Sequence, residues 1–453
     1  MQNGRMKKIV SWVIIIILLF FAYKFYQKNN FNDYTKAEYK AGISKFERDS
    51  ENKYSKYNSY KITNTDYNDA MFFKKINVNP NTSYKITCMI KTQDVQTKNE
   101  NTDAGAHICI NGTTEKSDNV IGTTDWTKVE FLFNSKNETQ MEIGFRLGGF
   151  EDNAIGTVWF SDFKIEATTL NETNEWNFLC ILFDNIDVNI ENNGNIQNIK
   201  LSLTENDKYD MKVCLQRFKN SMQEMTNNKI KVEYDILESQ TPITNMSYDE
   251  ENGYFVSGYD VKNVIDEYIK QGKYDHIFIA FRTGDINKKN GNTNDWIGLG
   301  YMEYRGIGFS NIRLPEDEND YIYKYDSRIN TFPEEVYIHE FLHTLERNSE
   351  EYGYTIPQLH DNEKYGYQNE RLIRLKRWYQ DYMNCNIKTS NGNIGLSSEI
   401  YTKKPVKISD FEYSYALDEF KEPENIIEEL NNVVNRIISL FSRSKEISYN
   451  NEI

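Results

Sequence analysis

The sequence predicts a multidomain chain with an N-terminal transmembrane anchor over residues 1–30, an all-β sandwich over 35–168 and an α/β domain over 173–442. Three observations predict this order. A long apolar run lies near the N-terminus, short alternating segments separated by turn residues follow, and continuous apolar runs then alternate with segments of helical periodicity. A length of 453 residues accommodates such an arrangement.

Composition excludes several classes of protein. The chain has 68 acidic and 53 basic residues, for a formal net charge of −15. We therefore expect no nucleic-acid partner, because neutralising phosphates requires clustered lysine and arginine. The 7 prolines and 23 glycines exclude a collagen-like or proline-rich chain. The 5 cysteines are scattered without C-x-x-C spacing, which favours buried free thiols over a disulfide framework or a thiolate metal site.

The N-terminal apolar run indicates the compartment. It covers residues 9–23, follows Arg5, Lys7 and Lys8, and precedes Lys24. With the next two aromatic residues it approaches the roughly 20 residues of a membrane-spanning helix. The small residues typical of a signal-peptide cleavage site do not follow, which favours an uncleaved anchor. We expect a single-pass protein of a bacterial, Gram-positive surface with extracellular C-terminal domains, or a secreted protein if the segment is cleaved.

Residues 35–168 have the pattern of a β-sandwich. Apolar and polar residues alternate in segments 83–91, 128–133 and 141–147, and turn clusters such as 79–82 separate the segments. Regular short strands of this kind pack as two antiparallel sheets.

The same segment resembles the jelly-roll carbohydrate-binding modules appended to secreted glycosidases. The resemblance rests on residues 79–84 before a strand, on 123–127, and on the closing segment 156–162. Ser161 stands where the family often has an acidic residue. The resemblance implies a carbohydrate partner. Trp126 and Trp159 are candidates either for stacking on sugar faces or for anchoring the core.

From residue 173 the pattern changes to an α/β layer. Segments 178–183 and 274–281 are continuous apolar runs, typical of strands covered on both faces. Apolar residues recur at helical spacing in 211–222. Residues 297–309 are rich in glycine and predict an edge strand before the next helix.

The segment His339-Glu-Phe-Leu-His343 predicts a zinc site. Two imidazoles four residues apart lie on one face of a helix, so both reach one metal ion. Glu340, beside the first ligand, is placed to take a proton from an attacking water and pass it to a leaving amine. The chain has only 5 histidines, and the motif is expected by chance about 0.004 times in such a chain. We therefore expect His339 and His343 to be metal ligands and Glu340 to be the catalytic residue; the alternative is two helix-surface histidines beside an ordinary glutamate.

Such a site needs a third protein ligand. His360 is the preferred candidate, because imidazole is a favoured zinc ligand and this histidine follows His343 closely in a chain that has few. Glu363 is the alternative, at 20 residues after His343. Glu346, one turn after His343 on the same helix, is expected to contact an imidazole from outside the ligand set.

The α/β half and its HExxH helix look like a zincin metallopeptidase of metzincin type. That family extends the motif to HExxHxxGxxH, whereas here Glu346 replaces the glycine and Ser349 the third histidine, so His360 would substitute. The resemblance implies peptide-bond hydrolysis. It also makes Met383 a candidate for the family's Met-turn, or an ordinary core methionine, and Tyr382 or a neighbouring tyrosine a candidate for stabilising the oxyanion.

In the resembling family an extended peptide pairs with the edge strand before the active helix. The glycines of this segment would permit close backbone approach, or they mark an ordinary bulged strand. They are Gly298, Gly300, Gly306 and Gly308.

These expectations combine into an extracellular zinc metalloendopeptidase that hydrolyses surface or extracellular proteins or glycoproteins and is targeted by a glycan-binding module. Two alternatives remain: a cell-surface glycan-binding adhesin with an inactive zincin domain, and a zinc hydrolase acting on peptidoglycan. The apolar spacing in residues 424–442 predicts a further helix that packs on the catalytic domain.

Overall fold

The computed structural model describes residues 34–99, 104–150, 152–169, 172–192, 194–269, 272–283, 296–315, 334–367 and 373–416. The expected anchor over 1–30 and the expected helix over 424–442 lie outside these residues. Within the described ranges, no helix combines the length and apolarity needed to cross a membrane.

The N-terminal part is a two-sheet β-sandwich, as predicted. Its strands are β1 (Thr35–Glu38), β2 (Ser44–Asp49), β3 (Ser59–Asn68), β4 (Ala70–Asn77), β5 (Thr82–Thr97), β6 (Gly105–Ile110), β7 (Gly122–Asn134), β8 (Gln140–Gly148) and β9 (Ala154–Thr169). One sheet has the order β1-β4-β8-β6 and the other β2-β3-β9-β5-β7, with antiparallel neighbours throughout.

Aromatic side chains fill the space between the two sheets. Ile86 and Ile90 of β5 point inward, and their alternate neighbours face solvent. Phe72 and Phe145 stack at 5.1 Å, and Phe160 of the opposite sheet meets Phe145 edge-on at 5.5 Å. Each fully buried side chain of this size contributes about 1.5–3 kcal/mol. All five cysteines are free thiols; four are buried, as expected, and Cys385 is half-buried.

The second part is built on a mixed sheet. Its elements are β10 (Glu175–Phe183), β11 (Asn185–Asn192), β12 (Asn195–Ser202), α1 (Glu205–Met225), β13 (Lys231–Ser239), β14 (Ser247–Asp249), β15 (Gly253–Phe255), α2 (Lys262–Ile269), β16 (His276–Thr283), β17 (Gly298–Tyr304), β18 (Ile307–Pro315), α3 (Glu335–Glu351), α4 (Ile373–Met383), β19 (Ile387–Thr389), β20 (Gly392–Ile394) and β21 (Tyr415–Ala416). The main sheet has the order β13-β10-β16-β18-β17, parallel except for the antiparallel β17.

The prediction of one glycine-rich edge strand was wrong in one respect. The segment folds as a hairpin, in which β17 is the edge and β18 lies inside the sheet beside β16. Gly306 occupies the turn at φ +77°, a conformation that glycine adopts without strain. The expected bulge is present, because the register shifts between Leu299 and Met302.

The helix that carries the HExxH motif, α3, packs on the centre of the main sheet. Phe341 meets Trp176 and Phe178 edge-on at 5.0 and 4.9 Å. Phe178 also stacks on Phe278 at 5.6 Å, and Phe218 of α1 closes the cluster at 5.1 Å from Phe178. The apolar runs of β10 and β16 are thus covered by the helices that the sequence pattern predicted.

Local hydrogen bonds determine where α1 begins and where α3 ends. Thr204 and Asp207 form a reciprocal capping box at the start of α1. After α3 the chain leaves through Gly353 at φ +77°, and the Tyr354 amide donates to the Ser349 carbonyl at 2.8 Å. The helix therefore ends where the following loop, which carries His360, turns back toward His339 and His343.

The sandwich and the second part are in direct contact. β21 pairs with β9, so the chain returns to the sandwich after building the α/β layer. Lys136 forms an ion pair with Glu351 at 3.0 Å, and Arg305 with Asp118 at 2.6 Å. A cavity of about 400 Å³ lies between these contacts.

Glu166 of β9 sits at this junction. Burial opposes its ionisation, but hydrogen bonds from Lys164, Lys85 and Ser414 outweigh that effect and lower the pKa of Glu166 from 4.5 to about 2. The folded pKa lies below the unfolded value, so ionised Glu166 stabilises the fold above pH 4.5, and this contribution is lost as the pH falls toward 2.

We expect Glu166→Gln to lower the free energy of unfolding by about 1 kcal/mol at pH 7 and to have little effect at pH 2. Denaturant titrations at a series of pH values measure the difference. Glu47→Gln is the control, because Glu47 is exposed and lies 3.6 Å from Lys61. A loss for Glu166→Gln that persists unchanged at pH 2 would contradict the assignment.

Candidate metal centre

Three imidazoles converge beside α3. His339 and His343 lie one turn apart on the helix, and His360 lies in the loop that follows it. The Nε2 atom of His339 is 3.0 Å from Nε2 of His360 and 3.2 Å from Nε2 of His343. One nitrogen from each residue lies within 4.8 Å of the other two. The structure thus brings together the three histidines that the sequence analysis selected.

Glu346 connects the helix to the loop that carries His360. Its Oε2 is 2.8 Å from Nδ1 of His343, and its Oε1 accepts a hydrogen bond from the Leu359 amide at 2.7 Å. The Leu359 carbonyl accepts a second hydrogen bond from the Trp378 indole at 2.9 Å. The amide and the carbonyl of Leu359, the residue before His360, therefore both have hydrogen-bond partners, which holds the backbone that carries the His360 ring.

His339 is oriented by a different pair of residues. Its Nδ1 lies 2.8 Å from the Tyr379 hydroxyl, which itself donates to the Glu335 carboxyl. Because that hydroxyl proton is directed at Glu335, the tyrosine oxygen accepts from His339. The sequence analysis missed both residues. Glu335 lies four residues before His339 on one helix face, which was a usable signal, whereas Tyr379 carries none.

These partners determine which ring nitrogens carry lone pairs. A carboxylate accepts only, so Nδ1 of His343 carries the proton toward Glu346, and Nδ1 of His339 carries one toward Tyr379. In the neutral rings both Nε2 atoms then present lone pairs to each other at 3.2 Å. Facing lone pairs repel unless a cation lies between them, so this donor set fits a zinc ion.

The electrostatic surroundings of His339 and His360 favour neutral rings. Burial lowers the pKa of His339 well below its ordinary value, and the neighbouring His343 and His360 lower it further. Burial and His343 also lower the pKa of His360, against a smaller opposite effect of Glu346. Neutral imidazole is the form that coordinates metals.

Glu340 follows His339 on α3 and is only 4 % exposed. Burial raises the pKa of its carboxyl well above the ordinary value, the charge of Glu335 raises it further, and a hydrogen bond from the Gly300 amide opposes both. The carboxyl rests against Gly298 and Gly300 of β17, where an added Cβ would overlap it.

Three glycines of this hairpin lie against other parts of the protein. Gly298 and Gly300 face Glu340, and Gly308 faces the side chains of His276 and Thr344. These contacts bring the sheet close to α3, and pairing of a substrate peptide with the edge of β17 stays a prediction.

Three other predicted positions are not members of the group of converging ligand atoms. Glu363 is exposed in a 3-10 turn and lies outside the converging group. Met383 ends α4 with its side chain fully buried in the core. Tyr382 is also buried, and its hydroxyl has no hydrogen-bond partner among the described residues. The Met-turn and the oxyanion role remain hypotheses.

Tyr301 is an exposed residue near the centre that the sequence analysis did not select. It occupies the bulge of β17 at φ +63°, unusual for a residue other than glycine. Its ring is 6.2 Å from the ring of His343, and its hydroxyl donates to Glu350 at 2.5 Å. With 47 % of its surface exposed, Tyr301 is part of the protein surface next to His343.

The two tryptophans proposed for sugar contact have different environments. Trp159 is 4 % exposed and its indole N–H donates to Asp49 at 2.8 Å, so its faces are covered. Trp126 is half-buried, and Tyr54, 51 % exposed, lies 6.0 Å from it. Lys91 and Asp125 form an ion pair beside them at 3.6 Å. We call Tyr54, Trp126, Lys91 and Asp125 the aromatic ledge.

Comparison with known proteins finds structural neighbours only. No family model and no curated protein sequence matches the chain. The solved structures with similarity include the enzymatically active domain of tailspike protein 4 of bacteriophage CBA120, at 13 % identity and a TM-score of 0.24 over 31 % of this chain and 20 % of that one.

Carbohydrate-binding modules are also among these structures. TmCBM61, solved with β-1,4-galactotriose, shows 15 % identity and a TM-score of 0.23 over 31 % of this chain and 92 % of that module. The CBM22-1 xylan-binding domain of Paenibacillus barcinonensis Xyn10C shows 15 % identity and a TM-score of 0.21 over 32 % and 90 %. At these scores the similarity carries no conclusion about ligand or activity.

Proposed function

We propose that this protein is an extracellular, membrane-anchored zinc metallopeptidase with His339, His343 and His360 as metal ligands and Glu340 as general base. The convergence of the three Nε2 atoms, two of them at 3.2 Å with facing lone pairs, is the observation that supports it. A bound zinc ion would supply the Lewis acidity that polarises a scissile carbonyl.

Glu340 would move the proton in this reaction. Its carboxylate accepts a proton from the attacking water and delivers it to the leaving amine, so that the amine departs uncharged. Burial supports this role, because a carboxylate with a raised pKa is a stronger base. Glu346 and Tyr379 act behind the imidazoles and hold the two helical ligands in one orientation.

We expect full-length wild-type protein to hold about one equivalent of zinc, and His360→Ala to lose most of it, because two imidazoles alone bind zinc weakly. Glu363→Ala is the matched control and should retain zinc. Glu346→Gln should weaken binding about 10- to 100-fold, since it removes the carboxylate behind His343. Elemental analysis and competition with a chelator measure both effects. If His360→Ala keeps zinc and Glu363→Ala loses it, the assignment of His360 as the third ligand is wrong.

We expect Glu340→Gln to lower kcat on casein or mucin by at least about 100-fold while zinc stays bound, because the amide cannot accept the proton. Hydrolysis of casein, mucin and purified cell wall, each assayed with wild type and variant, is the measurement. Zinc-loaded wild type that cleaves only cell wall would favour the peptidoglycan hydrolase. If it cleaves none of the three, the adhesin alternative gains support.

A second function, glycan binding, is supported by the aromatic ledge. Trp126 and Tyr54 expose ring surface, and Lys91 and Asp125 place hydrogen-bonding groups beside it. Aromatic faces flanked by polar side chains suit sugar rings, which present C–H patches surrounded by hydroxyls. The module would hold the peptidase near glycosylated substrates.

We expect Trp126→Ala to weaken polysaccharide binding about tenfold, because it removes the larger stacking surface of the ledge. Affinity electrophoresis in gels containing xylan, galactan or mucin is the measurement. Tyr39→Ala is the control, since Tyr39 is an exposed aromatic of the same sandwich outside the ledge. Wild-type migration unchanged in all three gels would contradict the glycan role.

A further inference from the structure

We infer that Gly298 and Gly300 of the edge strand form a seat that orients the carboxyl of Glu340, and that both are positioning residues for the proposed general base. The inference rests on the proposed function for its catalytic meaning, whereas the seat itself is a property of the fold. It assigns these glycines a role distinct from admitting substrate.

The first support is steric. A Cβ built on Gly298 would overlap three atoms of the Glu340 side chain: Cγ, Cδ and Oε1. A Cβ on Gly300 would lie 2.8 Å from Oε2 of Glu340 and 2.8 Å from its backbone oxygen. Contacts this close do not occur for real side chains, so only glycine allows β17 to lie against this carboxyl.

The second support is the bulge. Gly298 pairs with Ile312 and Leu299 with Asn311, but the next paired residue of β17 is Met302. Gly300 and Tyr301 are thus the two residues opposite one, and the register gives Gly300 no ladder partner. At this position Gly300 lies against the Glu340 carboxyl instead. The irregularity is therefore located where β17 contacts the residue whose orientation matters.

A glycine on the adjacent strand provides an internal comparison. Gly308 of β18 also packs against α3, but its neighbours are His276 and Thr344, and a Cβ there would lie 2.8 Å from Cγ2 of Thr344. Its φ, like that of Gly298 and Gly300, lies outside the left-handed region. Substitution at Gly308 thus crowds the same helix without touching Glu340.

The seat is tested by thermal unfolding of the metal-free full-length protein. We expect Gly298→Ala to lower Tm by about 5 °C, because overpacking strains the contact. In a Glu340→Ala background the crowded atoms are absent, and Gly298→Ala should then cost no more than about 1 °C. Gly300→Ala should be relieved only in part, because it also meets the helix backbone.

Gly308→Ala is the matched control and should lower Tm equally in both backgrounds. Equal losses for Gly298→Ala in both backgrounds would overturn the seat. If Gly298→Ala does not fold, recovery of the fold in Gly298→Ala/Glu340→Ala supports the inference, and failure of the double variant to fold overturns it.

The catalytic consequence has a separate readout. We expect Gly298→Ala to lower kcat at least tenfold with KM unchanged and zinc retained, because the base is displaced while the ligands are untouched. In a Glu340→Gln background the same substitution should not lower kcat further. A normal kcat in Gly298→Ala overturns the positioning role. An inactive but zinc-loaded wild type contradicts the proposed function, while the Tm cycle still decides the seat.

Discussion

The centre depends on one carboxylate that joins two segments of the chain. Glu346 contacts His343 through one oxygen and the Leu359 amide through the other, so the helix and the following loop share a single anchor. Without it, the loop that carries His360 would keep the Trp378 indole bond to Leu359 and the Asp361–Gln358 backbone bond but would lose its link to α3. Charge-assisted bonds to a buried carboxylate are stronger than neutral ones, which makes this bridge a rigid reference for the ring positions.

The scaffold behind the centre is apolar and continuous. Phe341 buries its ring against Trp176 and Phe178 on the face of α3 opposite the imidazoles, so the helix cannot rotate without opening the core. On its flank the same helix meets β17, where two glycines remove the side chains that would hold strand and helix apart. Core packing determines the axis of α3, and contact with the edge strand determines the orientation of its Glu340 side chain.

Local pattern accounted for most of the fold. Alternation predicted the sandwich strands, and continuous apolar runs and helical spacing predicted β10, β16, α1 and α3, because side-chain burial repeats with the backbone period. The local pattern did not predict the hairpin of β17 and β18, because it indicates a single strand there. The hairpin of β11 and β12 was not anticipated either. In both hairpins a short turn reverses the chain. Such a turn changes the strand pairing without changing the apolar pattern, so the pattern did not predict it.

The sequence alone determined the paired imidazoles, since His339 and His343 share a helix face through local geometry, and it selected His360 and Glu340 by residue chemistry. Tertiary structure decided the rest. Tyr379 reaches His339 from a helix 40 residues away along the chain, and the covered state of Trp159 depends on Asp49, 110 residues away. The bulge that includes Gly300 depends on the partner strand. Such contacts follow from packing between distant segments, and periodicity along one segment contains no information about them.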